Sequence, residues 1–290
     1  MWTANRWEDY TVLDCGGGEK IERWGKYTLI RPDPQVIWSR SANCSAWSKP
    51  SAIYHRSHSG GGQWEIKDLP AQWSIQYQPL RLTFQLKPMR FKHTGLFPEQ
   101  AVNWDFIAHM IQEAHRPVRI LNLFAYTGGA TLAAASAGAE VCHVDASKGM
   151  VQWAKENAAV SGLADKPIRW LVDDCVKFVQ REIRRGRQYD AIIMDPPSYG
   201  RGPSGEMWKI EDNIADFLAL TMQLLSEKPL FVLISSYSAG LAPSVMTYLL
   251  GVTAGRRFAG QIEAQEIGLP VASTGLVLPC GSSARFIAKL

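Results

Sequence analysis

The chain has 290 residues, 46% hydrophobic and 20% charged, the balance of an ordinary globular protein with room for one large domain or two modest ones. Its net charge of +4 permits a nucleic-acid partner without arguing for one. Five scattered cysteines (Cys15, Cys44, Cys142, Cys175, Cys280), odd in number and without a C-x-x-C pair, argue against a disulfide framework or a metal site and fit a reducing cytoplasm. The opening residues lack the basic-then-apolar pattern of a signal peptide, and no apolar run nears the about 18 residues that cross a bilayer, so no membrane partner is expected.

The chain changes character near residue 90. Before it lie seven of the eleven tryptophans, in short apolar stretches broken by Gly16–Gly18, Pro32–Pro34 and Ser59–Gly62. Tyr27–Ile30, Gln35–Trp38, Gln63–Lys67 and Leu82–Leu86 read as strands. Residues 1–91 therefore form a small β-rich N-terminal domain, either a substrate-recruiting module or a structural extension whose aromatics are core. Residues 92–290 form the second domain. It starts with a helix over Pro98–Arg116, with Val102, Phe106 and Met110 on one face. Strands then alternate with helices: Arg119–Phe124, Gly129–Ala137, Glu140–Val144, Lys148–Ser161, Ile168–Val172 and Cys175–Arg185. Strand Asp190–Met194 precedes a long glycine-rich loop, helix Asp212–Ser226, strand Leu230–Ser235 and helix Pro243–Thr253. Gln261–Ile267 and Ala284–Ala288 close the chain as strands. Alternating βα units of this size imply an α/β fold, a doubly wound sheet with ligands at the carboxyl ends of its strands.

Four features fall at successive strand ends. Ala125–Ala130 (AYTGGA) joins the first strand to its helix. Gly128 and Gly129 would let backbone approach a ligand, although a tight turn needs glycine in any case. Asp145 ends the second strand, where a carboxylate can accept both ribose hydroxyls of an adenosine, Ser147 being the better helix cap. Asp173 and Asp174 end the third, as acceptors for an adenine amino group or as a cap. Asp195–Tyr199 (DPPSY) ends the fourth. Two prolines force the backbone to turn there, which leaves the Pro196 carbonyl to accept a hydrogen bond, aims Asp195 into the crevice and offers the Tyr199 ring for stacking. A nicotinamide dehydrogenase would share the first two features. It would carry G-x-G-x-x-G at the first turn, and it has no use for D-P-P at the fourth strand.

On these residues the chain resembles the class I methyltransferases that act on large-subunit ribosomal RNA at cytosine C5 or guanine N7. The resemblance runs from about Lys92 to the C-terminus. It rests on Leu121–Gly129 (LNLFAYTGG), Lys92–Gln100 (KHTGLFPEQ, like the family's upstream T-G-x-F-x-x-Q), Ala154–Asn157 (AKEN), the D-P-P and Val277–Gly281 (VLPCG). It implies a Rossmann-like seven-stranded sheet that binds S-adenosylmethionine. Thr94, Gly95, Phe97, Gln100, Phe124, Ala125, Thr127 and Gly128 would line the methionine side. Asp145 with Ala146 would hold the ribose, and Asp174 with Cys175 would border the adenine. Asp195 and Pro196 would face the acceptor, with Asp195 also bordering the cofactor. The C5 branch has a cysteine nucleophile after the fifth strand. Here the chain reads Ile234–Gly240 (ISSYSAG), with Tyr237 at the cysteine position. C5 transfer needs a thiolate adduct, so a base nitrogen of RNA, ribosomal RNA first, is the expected acceptor. The family's RNA-binding accessory domain is not recognisable in residues 1–91.

Substrate contact is expected from the loop Tyr199–Lys209, with Arg201, Trp208 and Lys209, whose length and glycines suit a lid. The basic run Arg181, Arg184, Arg185 and Arg187 reads as a solvated helix end. Two alternatives stay open. A small-molecule methyltransferase would show salt-independent activity and no RNA affinity. A non-catalytic cofactor-binding scaffold would bind without turnover, and the intact D-P-P speaks against it. Nothing in the sequence fixes the oligomeric state.

Overall fold

A computed structural model describes residues 1–40, 44–57, 61–201, 207–238 and 240–289, Arg201 by its backbone alone. The chain forms two compact units, residues 1–102 with 267–280, and residues 103–266 with 281–290. Residues 92–102, which the sequence groups with the second region, thus pack in the first unit, as does the 267–280 stretch from late in the chain.

In the first unit, β1 (Trp2–Thr3) precedes a five-stranded sheet of β2 (Tyr10–Gly16), β3 (Glu19–Trp24), β4 (Tyr27–Pro32), β5 (Ala52–Arg56) and β6 (Gly62–Ile66), in that spatial order. A separate hairpin pairs β7 (Trp73–Tyr77) with β8 (Leu82–Leu86). Trp24, Tyr77 and Phe84 are fully buried, so these aromatics build core. The expected strand Gln35–Trp38 does not form. Asp33 and Pro34 turn the chain, with the Val36 amide donating to the Asp33 carbonyl (3.1 Å). The Val36 and Trp38 carbonyls then accept from Gly18 and Gly17 rather than from a strand.

The second unit opens within α1 (Ala101–Glu113). The buried face of this helix runs through Trp104, Ile107, Ala108 and Ile111; Val102, Phe106 and Met110 flank it half-buried. There follow β9 (Arg119–Leu123), α2 (Gly129–Ser136), β10 (Glu140–Asp145), α3 (Lys148–Val160), β11 (Ile168–Val172), α4 (Cys175–Arg184) and β12 (Ala191–Met194). Of the expected glycine-rich loop, β13 (Tyr199–Arg201) and β14 (Met207–Lys209) pair as antiparallel strands, while residues 202–206, with the glycines on which the lid reading leans, lie outside the described residues. Then come α5 (Ile210–Thr221), β15 (Phe231–Ser236), α6 (Pro243–Val252), α7 (Ala254–Arg257), β16 (Gly260–Pro270) and β17 (Val277–Ala288). β1 pairs with Ile267 and Gly268 of β16 inside the first unit.

Seven strands of the large sheet run in the order β16-β17-β15-β12-β9-β10-β11. β15, β12, β9, β10 and β11 are mutually parallel, and β17 is antiparallel to β15. Side-chain alternation fills both faces. Leu121, Leu123, Ile192, Met194, Val232 and Ile234 join one core with α4, α5 and α6. Ile120, Ala191, Ile193, Phe231 and Leu233 join the other with α1 and α2. The chain winds from β9 outward to β11, then crosses back to β12. The strand order therefore reverses between β9 and β12, and a doubly wound sheet binds its ligand outside the carboxyl ends at such a point.

Candidate functional site

The turn after β9 stands at this switch point and is conformationally strained. Phe124 (φ 55°) and Tyr126 (φ 51°), neither a glycine, adopt left-handed backbone, as does Gly128 (φ 91°). Each of the two non-glycine residues costs about 1–3 kcal/mol there and persists only where its surroundings impose it. The imposing contacts are visible. The Phe124 amide donates to Cys175 Sγ (3.4 Å) and the Tyr126 amide to Asp145 Oδ2 (2.9 Å). The Asn157 side chain donates to the Thr127 carbonyl (2.9 Å). The glycines answer to packing as well: a Cβ on Gly128 would lie 3.0 Å from the Ala154 Cβ, and one on Gly129 would lie 2.7 Å from the Trp104 ring. The AKEN segment of α3 therefore shapes this turn through Ala154 and Asn157.

Asp145 is half-buried at the end of β10. One carboxylate oxygen accepts the Tyr126 amide and the other the Ser147 amide (2.8 Å). Each oxygen keeps a further lone pair, the donor set that two vicinal hydroxyls need. Burial pushes this carboxyl up, against the lowering pull of the two amides. Ser147 caps α3 by accepting the Met150 amide (3.4 Å), and Ala146 is exposed between them. At the end of β11 the cap is Asp174, whose Oδ1 accepts the Lys177 amide (2.9 Å), while Asp173 pairs with Arg181. Buried Cys175 begins α4 directly beneath Phe124.

Asp195 follows β12 half-buried, and Pro196 is buried. The Pro197 carbonyl accepts from the Trp208 indole (2.6 Å). The Trp208 ring in turn packs 5.4 Å from Phe124 and 5.6 Å from Phe217. The β13–β14 hairpin is thereby anchored to both the first and the fourth strand ends. Tyr199 stands 54% exposed on it, its hydroxyl 3.3 Å from Met207 Sδ. The structure thus brings together Phe124, Ala125, Thr127, Gly128, Asp145, Cys175, Asp195 and Pro196. The strain at Phe124 and Tyr126 and the anchoring by Trp208 are features the sequence does not announce.

Thr94, Gly95, Phe97 and Gln100 lie in the first unit. Thr94 and Gly95 are buried, and Phe97 precedes a single 3-10 turn, Pro98–Gln100. The buried Thr94 hydroxyl finds no hydrogen-bond partner among the described residues. An orphan of this kind costs about 1–3 kcal/mol, and a bound ligand would relieve it. Of the basic run, Arg181 pairs with Asp173, Arg185 lies 3.1 Å from Glu182, and Arg184, Arg185 and Arg187 are exposed.

A half-buried carboxylate at the second strand end and a proline-stiffened turn at the fourth thus stand around one switch point. Residues 29–217, more than half of the chain, match the model of the S-adenosylmethionine-dependent methyltransferases, and the chain belongs to that family. It is 33% identical over 135 residues to the ribosomal RNA large subunit methyltransferase K/L of Shewanella baltica (strain OS195). That match covers 46% of this chain and 18% of the relative, so the chain spans less than a fifth of the length of the curated relatives it matches. The crystal structure of the SAM-dependent methyltransferase from Agrobacterium tumefaciens is similar over 99% of this chain and 93% of that one, at 35% identity and a TM-score of 0.92. SMU.776, solved in complex with SAH, shares the fold at 18% identity and a TM-score of 0.74, over 98% of this chain and 76% of its own.

Proposed function

We propose that this enzyme methylates a nitrogen atom of an RNA base, with ribosomal RNA as the substrate class. The S. baltica relative supports the RNA reading. The observation that carries the nitrogen reading is a tyrosine where a cysteine would stand, with the nearby Cys280 thiol raised well above its ordinary value by burial. Tyr237 follows β15 where the C5 branch has its cysteine, and its ring rests against Gly281, where an added Cβ would lie 2.9 Å away. Burial pushes the Cys142 thiol up to about 11 and the Cys175 thiol higher still. At both, burial works against the thiolate that C5 chemistry needs.

S-adenosylmethionine supplies an activated methyl on a sulfonium. What remains for the protein is to hold cofactor and acceptor in line and to exclude water. In this reading Asp145, with Ala146, holds the ribose, and Asp174 and Cys175 border the adenine. Phe124, Ala125, Thr127 and Gly128, with Thr94, Gly95, Phe97 and Gln100, serve the methionine side. Asp195 and the Pro196 carbonyl accept hydrogen bonds from an exocyclic amine, with the Asp195 carboxylate taking the one proton released as the nitrogen gains the methyl, or they position a ring nitrogen that needs no base, and Tyr199 stacks on the base. Among the described residues no helix is long and apolar enough to cross a membrane. The setting proposed is a reducing cytoplasm, on the odd number and scattered spacing of the cysteines in the sequence.

Two results check this reading. RNA carrying 5-fluorocytosine is expected to form no denaturation-resistant adduct with the enzyme in the presence of S-adenosylmethionine; a covalent complex would overturn the nitrogen reading. Asp145→Ala is expected to weaken S-adenosylmethionine binding by at least about tenfold, the loss of one hydrogen-bonded charged acceptor. Calorimetry showing unchanged affinity would remove Asp145 from the site. Because burial raises this carboxyl and its acceptor form is the ionised one, affinity is also expected to fall with acid from a higher pH than an ordinary aspartate would give.

A further inference from the structure

A second feature lies in the first unit, outside every residue assigned above. A cleft of about 780 Å³ is lined by His55, Arg56 and Gln63 of the β5–β6 hairpin and by Arg90 and Phe91. Its two walls are held together by Trp64 of β6. The indole N–H of Trp64 is shared between the Met89 carbonyl (2.9 Å) and the Phe91 carbonyl (3.2 Å), and its ring packs 5.4 Å from Tyr54. The far wall is a tight turn in its own right. The Lys87 amide donates to the Thr94 carbonyl (3.2 Å) and the Met89 amide to the His93 carbonyl (3.1 Å), so Arg90–Lys92 form its tip. Lys92 is pinned from behind, its ammonium donating to the Pro32 carbonyl (3.0 Å) and its own carbonyl accepting from Arg31 (3.2 Å).

The chemistry of the cleft is cationic and aromatic. Arg56 and Arg90 are both exposed, and neither forms an ion pair among the described residues. The nearby carboxylate, Glu65, is occupied by His55 (2.7 Å) and Lys67 (3.5 Å). Phe91 is 53% exposed beside these guanidinium groups, although most large apolar side chains of the unit are core. A guanidinium pair beside a solvent-facing ring on a braced backbone suits a strand that offers phosphates and unstacked bases together. It does not suit a duplex, whose base faces are stacked away. The tip also stands immediately before the Thr94–Gln100 segment to which the proposed reading gives the cofactor's methionine side.

We infer that this cleft is a single-stranded RNA subsite, Arg56 and Arg90 taking backbone phosphates and Phe91 stacking on a base. The inference rests on the reading that the substrate is RNA. The test uses the full chain and a short fluorescein-labelled single-stranded RNA, with binding followed by anisotropy across a salt series. Arg56→Gln with Arg90→Gln is expected to weaken binding by at least about tenfold and to flatten the slope of log affinity against log salt by about 1.4, two phosphate contacts at about 0.7 each. Phe91→Ala is expected to weaken binding by about fivefold or more with the slope unchanged. Both variants are expected to keep their S-adenosylmethionine affinity, which shows that they are folded. Variants that bind RNA as the unchanged protein does, or a duplex that competes as well as the single strand, would overturn the subsite and leave the RNA reading standing. An unchanged protein with no RNA affinity at low salt would overturn the RNA reading itself.

Discussion

Exchange of Asp195 for alanine is expected to leave S-adenosylmethionine affinity within a factor of about two and to lower kcat by about a hundredfold, the lower end of what a positioned proton acceptor contributes. The expectation follows from where the carboxylate sits. β12 ends at Met194 in the core, Pro196 is buried immediately beyond, and the Trp208 indole holds the Pro197 carbonyl. Asp195 therefore projects from a braced backbone, beside the turn to which the proposed reading gives the cofactor. Asp195→Asn separates the two nitrogen acceptors. A planar exocyclic amine must lose a proton as it gains the methyl, so the amide is expected to be as damaging as alanine. A ring nitrogen needs only to be held, and the amide is then expected to retain most of the activity. Full activity of Asp195→Ala in single-turnover assays would remove the residue from the acceptor side.

The largest stability effect is expected far from the chemistry, at Glu22 of β3. This carboxylate is wholly buried and accepts from Arg31 through both oxygens, Nε to Oε2 (2.6 Å) and Nη2 to Oε1 (2.7 Å). It also accepts the Tyr10 hydroxyl (2.6 Å) and lies 3.6 Å from the Lys20 ammonium. Burial alone would push its carboxyl up. The Arg31 and Lys20 cations override this and hold it down at about 2. Glu22→Ala leaves the Arg31 guanidinium buried and uncompensated, a loss of about 3–5 kcal/mol. Urea unfolding checks it, and a loss below about 1 kcal/mol would contradict the account. Replacing both partners, as Glu22→Leu with Arg31→Met, is expected to recover most of the stability, because the cost lies in the orphaned charge. The pH dependence has a definite sign. A carboxylate held below its ordinary value of 4.5 stabilises the fold above that value, and the contribution is lost as pH falls from there toward about 2.

The same pair explains why the first unit was hard to read from sequence. β3 (EKIERW) carries its buried glutamate in a strand that looks charged, and β4 hides its partner Arg31 in the same way. A pattern rule that takes charge for exposure misses both. β7 shows the alternation of a half-buried strand between Pro70 and Pro79, a signal that the strands read from the sequence leave out. The second unit is more legible, because its central strands β9, β10, β12 and β15 are short apolar runs buried on both faces and its ligand rule depends only on strand ends. Asp145 and Asp195 could be placed at strand ends from the sequence for that reason. The left-handed backbone of Phe124 and Tyr126 could not, since it is imposed by Cys175 at the start of α4 and Asp145 at the end of β10. Nor could the β13–β14 hairpin, whose anchor is the long-range stack of Trp208 on Phe124 and Phe217.

The claim that a base nitrogen of RNA receives the methyl group is tested most directly by nucleoside mass spectrometry of RNA from cells with and without the gene. The account predicts that one base methylated on nitrogen disappears with the gene and returns with the unchanged protein but not with Asp195→Ala. Loss of 5-methylcytosine instead, or an RNA methylation profile that does not change, would contradict it.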